Sequence, residues 1–238
     1  MIAYLRDHID AVLSLFAQHV QLAGSALGIA ILIAFPLGLL VARYTRLYTP
    51  VMGVLGAAYT IPSLALFAIL VPIVGIGFRN ALIALVIYAQ FILVRNVAVG
   101  LRGVDPAVLE AARGMGMNAA QILWCIELPL ALPVIVAGVR IATVTVIGVT
   151  AIATYIAAGG LGNLLSEGVS NSYNEEIEAG VLAIVVLALL ADLLLRAIEY
   201  LAIRASGRAP APRAAQWATG DGRRATGDGR RATGDGKA

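Results

Sequence analysis

Histidine, cysteine and lysine are nearly missing from this chain, and each shortage removes a class of function. Cys125 is the only cysteine, so no intrachain disulfide and no cysteine-based metal site can form. His8 and His19 are the only histidines, which leaves a metal-dependent or histidine-dependent catalytic centre without members. The sole lysine is Lys237, followed by Ala238. A phosphate loop needs lysine ahead of serine or threonine, so this chain cannot carry an ATP site of that kind. Charge is scarce too: 13% of residues are charged and 60% are hydrophobic, against about 25% and 45–50% in a soluble domain.

The apolar residues are gathered into blocks. Val51 to Phe78 and Ile141 to Ser166 are runs of 28 and 26 residues without a charge. A helix in a soluble core needs one apolar face only, so runs this long indicate lipid. The net charge of +3 does not point to nucleic acid, because nine of the 17 basic residues lie at or after Arg196. That skew fits a cytoplasmic tail beside a membrane.

The expected fold is all-α and multi-spanning. Ile2, Leu5, Ile9, Val12, Phe16 and Val20 recur at spacings of three and four, which predicts an amphipathic interfacial helix over 1–19. Five spans follow, over about 21–42, 51–75, 80–100, 133–158 and 178–203. Each covers the ~30 Å hydrocarbon layer at ~1.5 Å per residue. Pro62 and Pro72 interrupt the second span. Arg43, Arg46, Arg102 and Arg113 share one side with the basic tail, so the N-terminus is expected outside and the 101–129 loop inside. Residues 20–204 thus form the membrane domain. The tail, 205–238, repeats ATGDGRR at 218–224 and 225–231 and closes with ATGDGKA; lacking apolar partners, it is expected to be disordered.

The 105–133 loop is too polar to insert and too regular for a passive linker. Asp105 caps a helix that Pro106 opens and that runs to Arg113. Gly114 and Gly116 permit a tight reversal, and Asn118 caps a second helix reaching about Glu127 before Pro129 interrupts it. The signature residues are Glu110-Ala111-Ala112, three residues, Gly116, nine residues, Ile126, one residue, Leu128-Pro129. This pattern resembles the EAA motif of the permeases of ABC importers. The resemblance implies that the first short helix is a coupling helix seated in a groove of a separate ATPase. Glu110 would meet polar or basic groups there, Ala111 and Ala112 would allow close approach, and Arg113 would end the helix. Gly116 would set the hairpin angle, while Ile126, Leu128 and Pro129 would join the loop to the next span.

Within the family, Tyr59 to Leu66, Ile73 to Gly77, Gly138-Val139-Arg140 and Ala157 to Gly162 resemble osmoprotectant permeases, importers of glycine betaine, choline, carnitine and similar quaternary amines. The likeness covers roughly residues 20–200. It implies a non-enzymatic transport subunit in a bacterial inner (plasma) membrane, contacting lipid but no nucleic acid. A second permease subunit, identical or not, two ATPases and an extracytoplasmic binding protein would complete the assembly. No cofactor is expected in this chain, with ATP and Mg held by the ATPases. Pro62 and Ser63 are candidate gate residues, since a proline frees a backbone carbonyl inside a span. Tyr59, Tyr88 and Tyr155 offer ring faces to a quaternary ammonium.

Other readings of the residues remain. A methionine or amino-acid importer permease shares five spans and the EAA loop. A non-ABC channel or an ion-driven carrier is the alternative class, although a carrier needs coupling carboxylates within its spans and only Asp192 is available. Gly24 and Gly28 suit close helix contact, within the chain or across a dimer. Asp192 and Arg196 are expected to pair four residues apart, and Arg140 to snorkel toward the inner headgroups.

Overall fold

The computed structural model describes residues 6–205, and every regular element within them is helical. The first five residues and the repeat tail lie outside the described part. Among the described residues, four helices are long and apolar enough to cross a bilayer, and a bent pair, taken as one span, makes five.

The expected N-terminal amphipathic segment and the first span are joined without a break over the described residues. Helix α1 (Ile9–Arg43) runs unbroken for 35 residues, ~52 Å at 1.5 Å per residue. Spacings of three and four fit a helix lying on a membrane and equally one standing against a bundle. Val12 is buried and His19 wholly so, so one side of this stretch packs against protein, while Ile9, Leu13 and Val20 stay exposed.

The second span is broken more sharply than two prolines alone predict. Helices α2 (Thr45–Thr60) and α3 (Ser63–Val74) meet at 97°. Ile61 precedes a proline and is therefore biased away from helical geometry; its ψ is 126°. Pro72, by contrast, sits inside α3 without ending it.

Helix α4 (Phe78–Arg102) is the central span, packed between α1 and the helix after the hairpin. Small residues bring these helices together. Ala26, Ala30 and Ala34 on α1 and Ala81, Ala84 and Ala89 on α4 are all essentially inaccessible. A Cβ on Gly38 would stand 2.6 Å from Val97, and one on Gly100 3.1 Å from the Ala131 carbonyl oxygen. In lipid, where helix association rests on close packing, such contacts hold a bundle. A Cβ added at Gly24 or Gly28 would meet nothing within 4 Å among the described residues, so no close approach inside the chain requires glycine at either position.

The hairpin begins with α5 (Pro106–Gly114) and continues into α6 (Ala119–Gln121), a π-helical turn (Ile122–Glu127) and α7 (Leu128–Ile152). Here an expectation is corrected. Pro129 does not interrupt the helix; it falls in the first turn after the π-helical segment, where its missing N–H costs least. The second hairpin helix and the fourth span therefore form one rod, Ala119–Ile156, of 38 residues. It ends in the 3-10 turn Ala153–Ile156. Helix α8 (Gly162–Ser170) and the last span, α9 (Asn174–Ala205), follow.

Candidate functional site

The hairpin is capped at both of its entries. The Ala107 N–H donates to Asp105 Oδ1 at 2.9 Å, with Pro106 in the first helical turn. Asn118 Oδ1 accepts from the Gln121 N–H at 2.9 Å while Gln121 Oε1 accepts from the Asn118 N–H at 2.8 Å. This reciprocal capping box satisfies two end donors at once. The reversal rests on one residue, Gly116, whose φ of 81° is left-handed. Its N–H donates to the Arg113 carbonyl at 2.9 Å, and the Met117 N–H donates to that of Ala112 at 3.2 Å. Gly114 remains helical, so only the second glycine bears the turn.

The signature residues divide by orientation. Ala112 is buried inside the hairpin, whereas Glu110, Ala111 and Arg113 face outward. Val108, Ala111 and Met115 share a stripe at spacings of three and four, and all are exposed, Met115 by 73%. Trp124 on the π-helical turn is 61% exposed. A solvent-facing helix rarely shows this much apolar surface without a partner. Ile126, Leu128 and Pro129 are half-buried where the hairpin joins α7.

Sequence reasoning missed the seat of the hairpin. Glu127, 4% exposed, receives two hydrogen bonds from Arg43 at the end of α1, at 3.0 and 2.6 Å. The signal was there: Glu127 is the only acid between Glu110 and Glu167, and an acid at a span entry requires a partner. Arg102 at the end of α4 donates to the Val41 and Ala42 carbonyls and lies 4.5 Å over the Tyr48 ring. Three spans and α2 are thus tied together at the hairpin end.

The proposed gate residues gather in part. Tyr59 lies edge-on to Tyr88 at 5.8 Å and stacks on Phe91 at 5.2 Å between centroids. The Tyr88 hydroxyl donates to the Ile61 carbonyl, satisfying an acceptor that the break before Pro62 leaves without its helical donor. Pro62 and Ser63 follow directly. Tyr155 stands apart from this cluster, 65% exposed in the 3-10 turn after α7.

At the end opposite the hairpin, the turn before α8 folds over α1. Gly159 and Gly160 have φ of 80° and 91°. The Gly160 N–H donates to Gln18 Oε1 at 3.2 Å. His19 Nε2 pairs with the Ile147 carbonyl at 3.1 Å and Nδ1 with the Leu161 N–H at 3.3 Å, a set that a neutral ring satisfies. The Gly77 N–H donates to the Ile156 carbonyl at 2.6 Å.

Arg140 does not snorkel. Its guanidinium binds Asp192 at 2.8–2.9 Å and Glu199 at 3.3 Å across the α7–α9 interface. The expected Asp192–Arg196 pair is present at 2.8 Å, so Asp192 serves both arginines.

Comparison with known proteins gives a consistent result. Residues 34–204 match the family model described as "binding-protein-dependent transport system inner membrane component". Over 203 residues the chain is 43% identical to the osmoprotectant import permease protein OsmW of Salmonella typhimurium, covering 83% of this chain and 94% of that one. It is 39% identical over 190 residues to the glycine betaine/carnitine/choline transport system permease protein OpuCD of Bacillus subtilis, covering 79% and 82%. With the carnitine transport permease protein OpuCB of Listeria monocytogenes the identity is 38% over 183 residues, with coverage of 77% and 84%. Among solved structures, the inward-facing MetNI methionine ABC transporter aligns with a TM-score of 0.71 at 25% identity, covering 80% of this chain and 95% of that one.

Proposed function

Because the chain belongs to the family of binding-protein-dependent transport system inner membrane components, and is the inner-membrane permease subunit of an ABC importer, we propose that its solute is a quaternary-amine osmoprotectant such as glycine betaine, carnitine or choline. The observation that carries this is the set of relatives at 38–43% identity over about four-fifths of the chain, one named for osmoprotectant import and the others for carnitine or for glycine betaine, carnitine and choline. The methionine transporter is a likeness of structure at lower identity. The chain is a transport subunit and not an enzyme; ATP is hydrolysed by a separate subunit.

The family resemblance of the hairpin supports a finer reading of the assembly. Two permease copies, identical or paired with a close relative, enclose the path and receive solute from a binding protein at the end opposite the hairpin. Two ATPases sit at the hairpin end, which the positive-inside rule places in the cytoplasm. Their grooves receive the exposed Val108–Ala111–Met115 stripe of α5, with Glu110 and Arg113 at its rim. ATP and Mg stay on the ATPases. Because α6, the π-helical turn and α7 are continuous, displacement of the hairpin is delivered into the membrane along a rod of ~57 Å. The α2–α3 break, with Pro62 and Ser63 beside Tyr59 and Tyr88, is the gate on the path.

The test is to purify the assembly, identify its subunits, and measure binding-protein affinity and ATP-driven proteoliposome uptake for betaine, choline, carnitine and methionine. Saturable uptake of a trimethylammonium solute without methionine uptake is expected. Uptake of methionine alone would refute the substrate assignment while leaving the importer intact.

A further inference from the structure

The charged cluster between α7 and α9 is not explained by the hairpin, the gate or the family motif. Arg140 stands ~18 Å along α7 from Leu128. Its two acidic partners, Asp192 and Glu199, are seven residues apart on one face of α9, two turns or ~10 Å. All three side chains are 16–21% exposed, while Arg196, bound to the far oxygen of Asp192, is 59% exposed. Two guanidiniums and two carboxylates cancel, so the cluster is neutral as a whole. If neutralisation were its entire role, the Asp192–Arg196 pair on α9 alone would suffice and α7 would need no charge.

What α9 lacks makes the cross-helix bonds significant. From Ala188 to Tyr200 no residue is buried, and Leu189, Leu190, Leu193 and Leu194 are each exposed by more than half. In this half of α9 the residues packed against the core are the small, half-buried Ala188 and Ala191, so apolar packing gives it limited hold. The fixed, directional attachment to α7 is the guanidinium of Arg140, held by acids above and below it. An arginine with acceptors two turns apart keeps one partner while the helices slide by a turn, a displacement common in switching transitions.

We propose that Arg140 is a positioning residue for transport: by gripping Asp192 and Glu199 it makes the hairpin-side half of α9 follow α7 as the hairpin moves. This rests on the reading of the rod Ala119–Ile156 as the element driven by the ATPase. A static role predicts that loss of the cluster lowers assembly and leaves coupling alone. The joint predicts that solute moved per ATP falls in assemblies that still form.

The experiment uses the complete assembly with ATPase and binding protein, in a Cys125→Ser background with spin labels at positions 144 and 189. Arg140→Gln, Arg140→Lys and Glu199→Gln are compared for solute moved per ATP, ATPase rate, and label separation with and without a non-hydrolysable nucleotide. Arg140→Gln is expected to hydrolyse ATP at near the native rate but to move about tenfold less solute per ATP, the size of a typical coupling between sites. Its label separation is expected to broaden, with Arg140→Lys recovering part of both losses. Native coupling and a native distance distribution in Arg140→Gln would overturn the proposal. Should Arg140→Gln fail to assemble, Glu199→Gln decides. It keeps the Arg140–Asp192 bond, so a several-fold loss of coupling in an intact assembly supports the joint, and native coupling overturns it. If the native assembly moves no quaternary amine, the substrate assignment fails, and the label distances still judge the joint.

Discussion

Replacement of Gly116 gives the most direct test of the hairpin, because the structure separates its cost from its effect on the bundle. The φ of 81° is the sole demand made on this residue, and a Cβ there would meet nothing within 4 Å. The penalty is therefore conformational and not steric. A left-handed backbone costs a side-chain-bearing residue about 1–2 kcal/mol, with aspartate near the low end and β-branched residues at or above the high end. Within α5 only Ala112 is buried, so the strain falls on the hairpin and not on the spans. An energy of ~1–2 kcal/mol changes the ratio of closed to open hairpin by about 5- to 30-fold. Gly116→Asp should therefore lower ATPase capture by up to about fivefold, and Gly116→Val by up to about thirtyfold, with membrane insertion unchanged. Gly114→Ala is the internal control: its site is helical with open space, so capture should hold or improve. Co-purification with the tagged ATPase and uptake in proteoliposomes read the outcome. Native capture and uptake in Gly116→Val, or equal losses in Gly114→Ala, would refute the reasoning.

Arg43→Gln and Glu127→Gln should each destabilise the hairpin seat by about 1–3 kcal/mol, between an exposed and a fully buried pair, because Glu127 is buried and the Arg43 side chain is 42% exposed. The double variant should cost clearly less than the sum in reversible detergent unfolding; strict additivity would mean that the pair is idle. His19→Leu should cost about 1–3 kcal/mol by leaving the Leu161 N–H unpaired, and His19→Gln should recover part of this; equal thermal stability of all three would deny the clasp. Tyr88→Phe keeps the ring packing on Tyr59 but strands the Ile61 carbonyl in the membrane. Its expected signature is a changed uptake rate with native ATPase capture, and unchanged uptake would remove Tyr88 from the gate.

Much of this architecture is legible in the residues because membranes impose one-dimensional rules. Uncharged runs mark the spans, and Asp105, Pro106 and Asn118 announce helix starts through local chemistry alone. Where the sequence misleads, the deciding interaction is distant. The segment 9–20 reads as a surface helix until His19 is seen to bond Ile147 and Leu161, 128 and 142 residues away. Pro129 reads as a breaker until a π-helical turn absorbs its missing donor. Arg140 and Glu127 read as flanking charges because their partners, at separations of 52 and 84 residues, leave no mark on local pattern. Pro62 signals a break, but neither its 97° angle nor the donor that Tyr88 brings to the Ile61 carbonyl from another helix is written in the local pattern.

The placement of these polar contacts sorts the spans by how they can move. The rod Ala119–Ile156 is clasped to α1 at both ends, through Glu127–Arg43 and through His19 with Ile147. The clasps are separated by 24 positions on α1 and 20 on the rod, ~36 and ~30 Å, so they hold the two helices at well-separated points. Helix α4 is fastened to the same body by Gln90 to the Ala30 carbonyl and by Arg102 to those of Val41 and Ala42. The broken span is bound differently. Among the described residues, the side-chain hydrogen bonds that tie it to another helix run to α4, from Tyr88 to Ile61 and from Asn80 to Phe67 and Gly75. No residue of α2 is buried, and the left-handed glycines 75 and 77 lie at the far end of α3. On the coupling proposed above, a push delivered to the hairpin would move α1, α4 and α7 together, with α9 following at Arg140. The relative displacement would then fall to the one span that is already bent, which is where a path that must close at one end before opening at the other needs its movable wall.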